Sequence, residues 1–386
     1  MKKRTRNILI IAGMILLIPV WMWTAWLITP KKKLVVAIVD KTEISRQGQE
    51  HVSLTWVLNQ ERYTKTSSKP YHVSQDYFGF FPQQGEQFRV KGLERFTPAQ
   101  LDQLSNDCKA AYYTDTYGVF SNEWFSHKNV TERSGLVYGG MSKEDIALLQ
   151  LMKDKHKTII TEFNTIGSPT APEIRQQFEQ MFGLKWTGWI GRYFESLDTT
   201  TNKELPQWLV GNYLKQHNNQ WSFKNGGVAF VNDKDEIEIL EAGTHLNEAV
   251  PHIITGIKGQ TLYQLPSSIK YSFWFDVVQP DSSINQVIAQ FRIDANDAGM
   301  KLLKARNIPA MFPAVTQHTG KDYKFYYFSA DFCDNPVGMG SSYFRGISFF
   351  KFLFYDSSNP MERKSFFWNY YRPLMTTILD ELYREQ

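Results

Sequence analysis

The strongest constraint on the fold is a strand–turn–helix unit over residues 157–183. Residues 158–160 form a β-branched apolar run, which predicts a buried strand. Thr170 as the N-cap and Glu173 three residues later predict the start of a helix, and Gly183 predicts its end. In an open α/β sheet, the turn after such a strand is where ligands bind. We therefore expect the polar residues of this turn to matter for function.

Similar units precede this one. A first apolar strand ends in Asp40, a helix is predicted over residues 51–60, a further strand ends in Asp115, and a capped helix begins at Ser142. Alternating strands and helices predict a flavodoxin-like, doubly wound parallel sheet. Short strands and hairpin turns from about Asp198 predict an inserted β-rich segment. The expected division is a membrane anchor (1–32), an α/β part (33–197), the insertion (198–284) and a return to the sheet with a C-terminal helix (285–386).

The N-terminal segment is apolar and follows a basic start. Residues 8–28 carry no charge, a length of about 21 residues that suits one transmembrane helix. Three Trp residues near its end suit the aromatic belt of a membrane, and a cleavable signal peptide is disfavoured because small residues before a cleavage site are missing. The sequence predicts a single-pass signal anchor in the cell membrane, with the N-terminus cytoplasmic and the body extracytoplasmic.

Charge and cysteine content narrow the function classes. The basic segments on both sides of the apolar run hold seven of the 43 Lys and Arg residues, so 36 remain against 39 acidic residues and leave a net charge of −3. A body with this sign is not expected to bind nucleic acid. Cys108 and Cys333 lack metal-ligand spacing, and whether they pair is left open. We expect no metal and no cofactor.

Several predicted strands end in an acidic residue. In a parallel sheet these ends share one edge, so carboxylates distant in sequence can converge on one crevice. The simpler alternative is that each acid meets solvent or caps a helix. The candidate catalytic residues are Glu162, Asp115 and Asp331, and the candidate ligand-binding residues are Asp40, Tyr117, Asn164, Trp189 and Arg192.

Four stretches carry a resemblance to a known fold: "VVAIVDKT", "AAYYTDTYG", "TIITEFNTIGSPTAPEIRQQFEQMFGLKWTG" and "GKDYKFYYFSADFCDN". Their order resembles the class I glutamine amidotransferase-like fold, which includes trehalose-utilisation-like proteins and β-galactosidase middle domains, over residues 33–195 and 285–340. Catalytic members carry an elbow Cys where this chain has Glu162-Phe163-Asn164. The resemblance therefore implies a crevice without thiol chemistry. If the chain does not belong to this fold, we expect it to belong to a bacterial family of membrane-anchored proteins.

Three functions remain open at this stage. The first is an accessory protein, more a binding protein than an enzyme, that binds a cell-surface or exported polysaccharide in the crevice; many aromatic side chains beside polar loops favour a sugar ligand. The second is a glycan hydrolase, which needs two carboxylates on either side of a sugar. The third is a structural scaffold for an envelope synthase, with a membrane-embedded protein as partner.

Overall fold

A computed structural model describes residues 13–125, 134–356 and 358–385. The strands of these residues are β1 (Lys32–Lys33), β2 (Val36–Asp40), β3 (Tyr63–Thr64), β4 (Phe78–Pro82), β5 (Phe88–Lys91), β6 (Ala110–Asp115), β7 (Val119–Phe120), β8 (Leu136–Tyr138), β9 (Thr158–Glu162), β10 (Leu184–Phe194), β11 (Gly227–Asn232), β12 (Ile237–Glu241), β13 (His252–Thr255), β14 (Ser268–Lys270), β15 (Phe275–Pro280), β16 (Gln286–Arg292), β17 (Met311–Thr319) and β18 (Lys324–Phe328).

The α-helices of the same residues are α1 (Ile18–Ile28), α2 (Val52–Gln60), α3 (Pro98–Asp107), α4 (Ser121–Trp124), α5 (Lys143–Asp154), α6 (Pro172–Phe182), α7 (Gln207–Gln216), α8 (Ile257–Leu262), α9 (Asp297–Ala305), α10 (Lys364–Phe366) and α11 (Arg372–Arg384). The predicted capped helix start at Ser142 is confirmed at α5, where Ser142 and Asp145 form a capping box. The predicted cap of α6 is wrong, because Ala171 precedes that helix as its N-cap and Thr170 instead accepts the backbone N–H of Met141.

The main sheet has ten strands in the order β14-β13-β16-β17-β18-β9-β6-β2-β4-β5. The five strands from β18 to β4 are parallel, and the strands on both sides of them are antiparallel. The predicted doubly wound parallel sheet is therefore wrong. The physical reason lies in the connections: a short turn joins β17 to β18, and only antiparallel neighbours can be joined so tightly.

The parallel strands are buried on both faces, as strands between two helix layers must be. Ile38, Tyr112 and Ile160 point into one hydrophobic core with side chains of α2 and α11, whereas Val39 and Tyr113 point into the other with side chains of α3, α5 and α6. The alternation along each strand thus fixes both layers. Helices on both sides leave the carboxyl ends of the parallel strands at one edge, where the site lies.

A second sheet is antiparallel, in the order β12-β11-β10-β15. Strand β10, which the sequence analysis assigned to the α/β part, pairs with β11 and β15 in this sheet. Side chains of α7 pack against one face of this second sheet and form a separate hydrophobic core with it. The predicted boundaries at residues 197 and 284 stay predictions.

The predicted transmembrane helix is wrong for the described residues. Residues 8–12 of the predicted span lie outside them, and α1 has 11 residues. A helix of this length is roughly 16 Å long, short of a hydrocarbon core of about 30 Å. No helix in the described ranges is long and apolar enough to span a bilayer. The predictions of a signal anchor, a cell-membrane location and an extracytoplasmic body depended on this helix and are overturned with it.

Candidate functional site

Four acids follow the parallel strands at the same edge of the sheet. Asp40, Asp115 and Glu162 are the last residues of β2, β6 and β9, and Asp331 follows β18, which ends at Phe328. These four strands are neighbours and parallel, so their carboxyl ends lie side by side.

The centre of this edge is a group of three carboxylates, Glu50, Asp115 and Asp331, which we call the carboxylate centre. Their ligand oxygen atoms all lie within 4.8 Å of one another. Glu50 comes from a one-turn 3-10 helix, Gln49–His51, between β2 and α2. Gly48 precedes that turn with a φ of 66°, and a Cβ there would lie 2.4 Å from a methyl carbon of Val73. This glycine lets the chain turn so that Glu50 faces the edge.

The three carboxylates have different hydrogen-bond partners. Asp115 is buried and accepts hydrogen bonds from the Thr42 hydroxyl (2.7 Å), the Tyr117 backbone N–H (2.5 Å) and the Asn164 side-chain amide (3.3 Å). Glu50 and Asp331 are partly exposed, and no residue of the described ranges donates a hydrogen bond to either carboxylate. Donors favour the ionised form, so Asp115 is the group of the three that the protein best prepares to carry a charge.

The pKa values of all three groups are raised. For Glu50 and Asp331, burial is the largest cause, even though both of these side chains reach solvent in part. The negative charges of Asp115 and Asp334 raise the two pKa values further. Burial also raises the pKa of Asp115 to about 7, against the lowering effect of its hydrogen bonds. Three acids this close cannot all ionise near neutral pH without compensation, so protons or a cation must reside among them.

A second group, Asp40, Glu43 and His51, lies beside the carboxylate centre, and we call it the His51 group. Its ligand atoms also lie within 4.8 Å of one another, and all three side chains are buried. Burial lowers the pKa of His51, but the hydrogen bond and charge of Asp40 outweigh burial, so the net shift is upward. Burial, with the charge of Asp40, raises the pKa of Glu43 to about 7.

Thr42 connects the two groups. Its hydroxyl donates to Asp115 of the carboxylate centre, and its backbone N–H donates to Asp40 of the His51 group at 3.0 Å. Glu50 and His51 are also consecutive residues of the same turn. The loop between β2 and α2 therefore supplies side chains to both groups.

Glu162 lies at this edge, but its side chain contacts the residues that hold the site and not the carboxylate centre itself. Its side chain is buried and accepts hydrogen bonds from the Tyr112 hydroxyl and, at 3.0 Å, from the backbone N–H of Cys333. Its carboxylate therefore holds the loop that carries Asp331, and the charge of Glu162 contributes to the raised pKa of Asp331. Its predicted catalytic role stays a prediction.

The remaining predicted residues divide between the two sheets. Tyr117 and Asn164 reach the carboxylate centre through their hydrogen bonds to Asp115. Trp189 and Arg192 lie on β10 of the second sheet, where Trp189 is buried and Arg192 forms an ion pair with Glu204 at 2.8 Å.

Clustered acids require a compensating cation, and from the sequence Arg192 is the candidate for this role. The guanidinium that lowers the pKa of Asp331 is that of Arg363, which forms a 2.5 Å ion pair with Asp334. Burial lowers the pKa of Arg192, and the charges of Glu204 and Asp331 offset this only in part. Compensation of Asp331 therefore comes first from Arg363, to which the sequence analysis gave no site role.

Sequence reasoning missed five residues of this edge. A usable signal for three of them was the stretch "EISRQGQEH" (residues 43–51), because it is the first loop after a buried strand and carries a turn glycine before a helix. For Asp334 and Arg363 there was no local signal, because these two residues approach the site only through the packing of the last elements of the chain. The five are Glu43, Glu50, His51, Asp334 and Arg363.

No protein-family model and no curated protein sequence matches the chain. Solved structures match it at low identity. The Cytoplasmic Protein STM1381 from Salmonella typhimurium LT2 matches with 9% identity and a TM-score of 0.40, over 91% of this chain and 99% of that one. A ThuA-like protein from Bacteroides uniformis matches with 9% identity and a TM-score of 0.35, over 82% and 89%.

A β-galactosidase from Bacillus circulans sp. alkalophilus matches with 10% identity and a TM-score of 0.28, over 62% of this chain and 22% of that one, so the chain spans less than a quarter of that enzyme's length. ThuA-like proteins are the trehalose-utilisation group that the sequence resembles. Because these TM-scores are below 0.5, the matches support no conclusion about the function of this chain.

Proposed function

We propose that the chain is a carbohydrate-active hydrolase that cleaves a glycosidic bond at the carboxylate centre. One observation carries the proposal: Glu50, Asp115 and Asp331 come from three distant parts of the chain, yet their carboxylate oxygens lie within 4.8 Å of one another. Glycosidases that retain configuration hold two carboxyl groups about 5–5.5 Å apart, one as acid and one as nucleophile.

The hydrogen bonds suggest how the roles divide. Asp115 accepts three hydrogen bonds, which favour its ionised form, so it is the nucleophile. Glu50 and Asp331, whose carboxylates receive no hydrogen bond from the described residues and whose pKa values are raised, share the proton of the acid, so both are needed for its transfer. The acid protonates the leaving oxygen while Asp115 bonds to the anomeric carbon and the glycosidic C–O bond breaks. The resulting carboxylate then deprotonates a water molecule, which displaces Asp115.

A protein that only binds a polysaccharide is the alternative. It would have no use for three carboxylates whose mutual repulsion and burial disfavour their charged forms, since such an arrangement reduces stability. An aromatic wall for a sugar fits both functions: Tyr117, next to the nucleophile, packs its ring against Phe120 with a centroid distance of 4.8 Å. The carboxylates therefore favour turnover over binding alone.

The proposal is tested by incubating a panel of oligosaccharides with the wild type, Glu50→Gln and Glu173→Gln, and by measuring product masses. Glu173 is an exposed acid of α6 and serves as the matched control. We expect shorter sugars from the wild type and from Glu173→Gln, and at least about a 10²-fold lower rate from Glu50→Gln. Sugar that is retained by the wild type without being shortened would instead establish the binding protein and contradict the hydrolase.

A further inference from the structure

We propose that the His51 group binds one divalent transition-metal ion. This site goes beyond the proposed hydrolase, because Asp40, Glu43 and His51 are separate from the three carboxylates that carry that function. Asp40 is the last residue of β2, Glu43 follows in the same loop, and His51 ends the 3-10 turn. Three potential ligand atoms within 4.8 Å of one another are close enough to share one ion after small side-chain movements.

The orientation of His51 leaves one ring nitrogen available to the group. Its Nε2 lies 2.6 Å from the carbonyl oxygen of Val73, so Nε2 carries the proton and donates it. Metal-bound histidines are typically held in this way, with one ring N–H on a backbone carbonyl and the other nitrogen on the ion. The Nδ1 atom of His51 faces Asp40 Oδ2 at 2.5 Å. Two acceptors at this distance require a proton or a cation between them.

Glu43 provides an independent observation. Its side chain is 2% exposed; one oxygen accepts hydrogen bonds from the backbone and hydroxyl of Ser45 at 2.8 Å, whereas the buried Oε2 has no hydrogen-bond partner. A buried carboxylate oxygen without a partner costs free energy, which a cation would offset. Within the described residues, Oε2 is thus a ligand atom that the fold leaves unused.

Charge and ligand type identify the class of ion. Two carboxylates and a neutral imidazole carry a charge of −2, which one divalent cation cancels in a buried site. An imidazole nitrogen with two carboxylate oxygens suits Mn²⁺, Fe²⁺, Co²⁺ or Zn²⁺, whereas Mg²⁺ and Ca²⁺ prefer oxygen ligands alone. The carboxylate centre beside the group has two partly exposed members, Glu50 and Asp331, which offer a route from solvent.

The test uses Co²⁺ and the full-length chain, freed of metal by a chelator, with isothermal titration calorimetry and the visible absorption of Co²⁺. Glu43→Gln is the main variant, because its side-chain oxygen can still accept from Ser45, and His51→Asn is the second. His318→Asn is the matched control: His318 also contacts an aspartate and a backbone carbonyl, at 2.9 and 2.8 Å, but belongs to no three-ligand group of the described residues.

We expect one Co²⁺ per wild-type chain and an affinity at least about tenfold lower in Glu43→Gln and His51→Asn, with His318→Asn unchanged. Equal affinity in Glu43→Gln and the wild type would overturn the inference, as would no binding by the wild type. Loss of Co²⁺ only in Asp331→Asn would place the ion in the carboxylate centre and also overturn it. The hydrolase is tested separately, because Glu50→Gln should lose sugar cleavage and keep Co²⁺.

Discussion

An Asp331→Asn variant is expected to hydrolyse its carbohydrate substrate about 10²–10⁴-fold more slowly than the wild type, the range that a positioned acid or base contributes. Asp331 receives no hydrogen bond from the described residues, so the change removes its proton-donating role without removing a structural contact. Initial rates with an oligosaccharide substrate measure the effect. A rate within a factor of two of the wild type would show that Asp331 takes no part.

The pH dependence of the wild type follows in part from the pKa of Asp331, which burial and the charges of Asp115 and Asp334 raise. As an acid, Asp331 works in its protonated form, so wild-type activity should fall as pH rises through the raised pKa. The folded state also binds this proton more tightly than the unfolded state, so its contribution to stability declines from the ordinary Asp pKa up to the raised one. In Asp331→Asn both declines should be smaller but not absent, because Glu50 and Asp115 also have raised pKa values and still titrate. Initial rates and urea unfolding at several pH values measure the two declines.

Lys41→Met is expected to lower the free energy of unfolding by about 3–5 kcal/mol. The Lys41 side chain is fully buried and forms ion pairs with Glu94 and, at 2.6 Å, with the fully buried Asp145. Burial alone lowers the pKa of Lys41, but the two carboxylates outweigh it and the net shift is upward. Removing the ammonium leaves Asp145 buried without a cation. Urea unfolding at pH 7 measures the loss.

The matched control for that variant is Lys155→Met. Lys155 pairs with Asp102 at the same distance, 2.6 Å, but at the surface, where the side chains are 25% and 54% exposed. Water screens this pair, so its loss should cost no more than about 1 kcal/mol. Similar losses in the two variants would contradict the importance given to burial at Lys41.

Local sequence patterns predicted the parallel part of the sheet well. The runs that end in Asp40, Asp115 and Glu162 form neighbouring strands, because β-branched and aromatic residues buried on both faces leave little alternative. The antiparallel neighbours could not be predicted in the same way. Whether Leu184–Phe194 joins the main sheet or a second sheet depends on pairing with distant strands, which no local pattern encodes.

Only those residues of the candidate site that lie at or just after the end of a parallel strand could be predicted from the sequence. Asp115, Tyr117 and Asn164 could be placed together because each follows a parallel strand of the same sheet. Glu50 and His51 come from a loop whose path depends on the turn at Gly48, and sequence spacing does not give the direction of a loop.

The apolar N-terminal segment was predicted to span a membrane because hydropathy takes no account of tertiary contacts. In its described part, the indole N–H of Trp26 donates to a backbone carbonyl of α2, and the carbonyl of Met22 accepts from the backbone N–H of Arg345.

The most direct test of the two-carboxylate mechanism is the configuration of the first product. A substrate found with the oligosaccharide panel is mixed with the wild type in an NMR tube, and the anomeric proton signals are followed before mutarotation. Carboxylate oxygens within 4.8 Å of one another leave no room for a water molecule between acid and nucleophile, so we predict that the product first appears with the configuration of the substrate. A first product of inverted configuration, or a glycoside that stays intact, would contradict the mechanism.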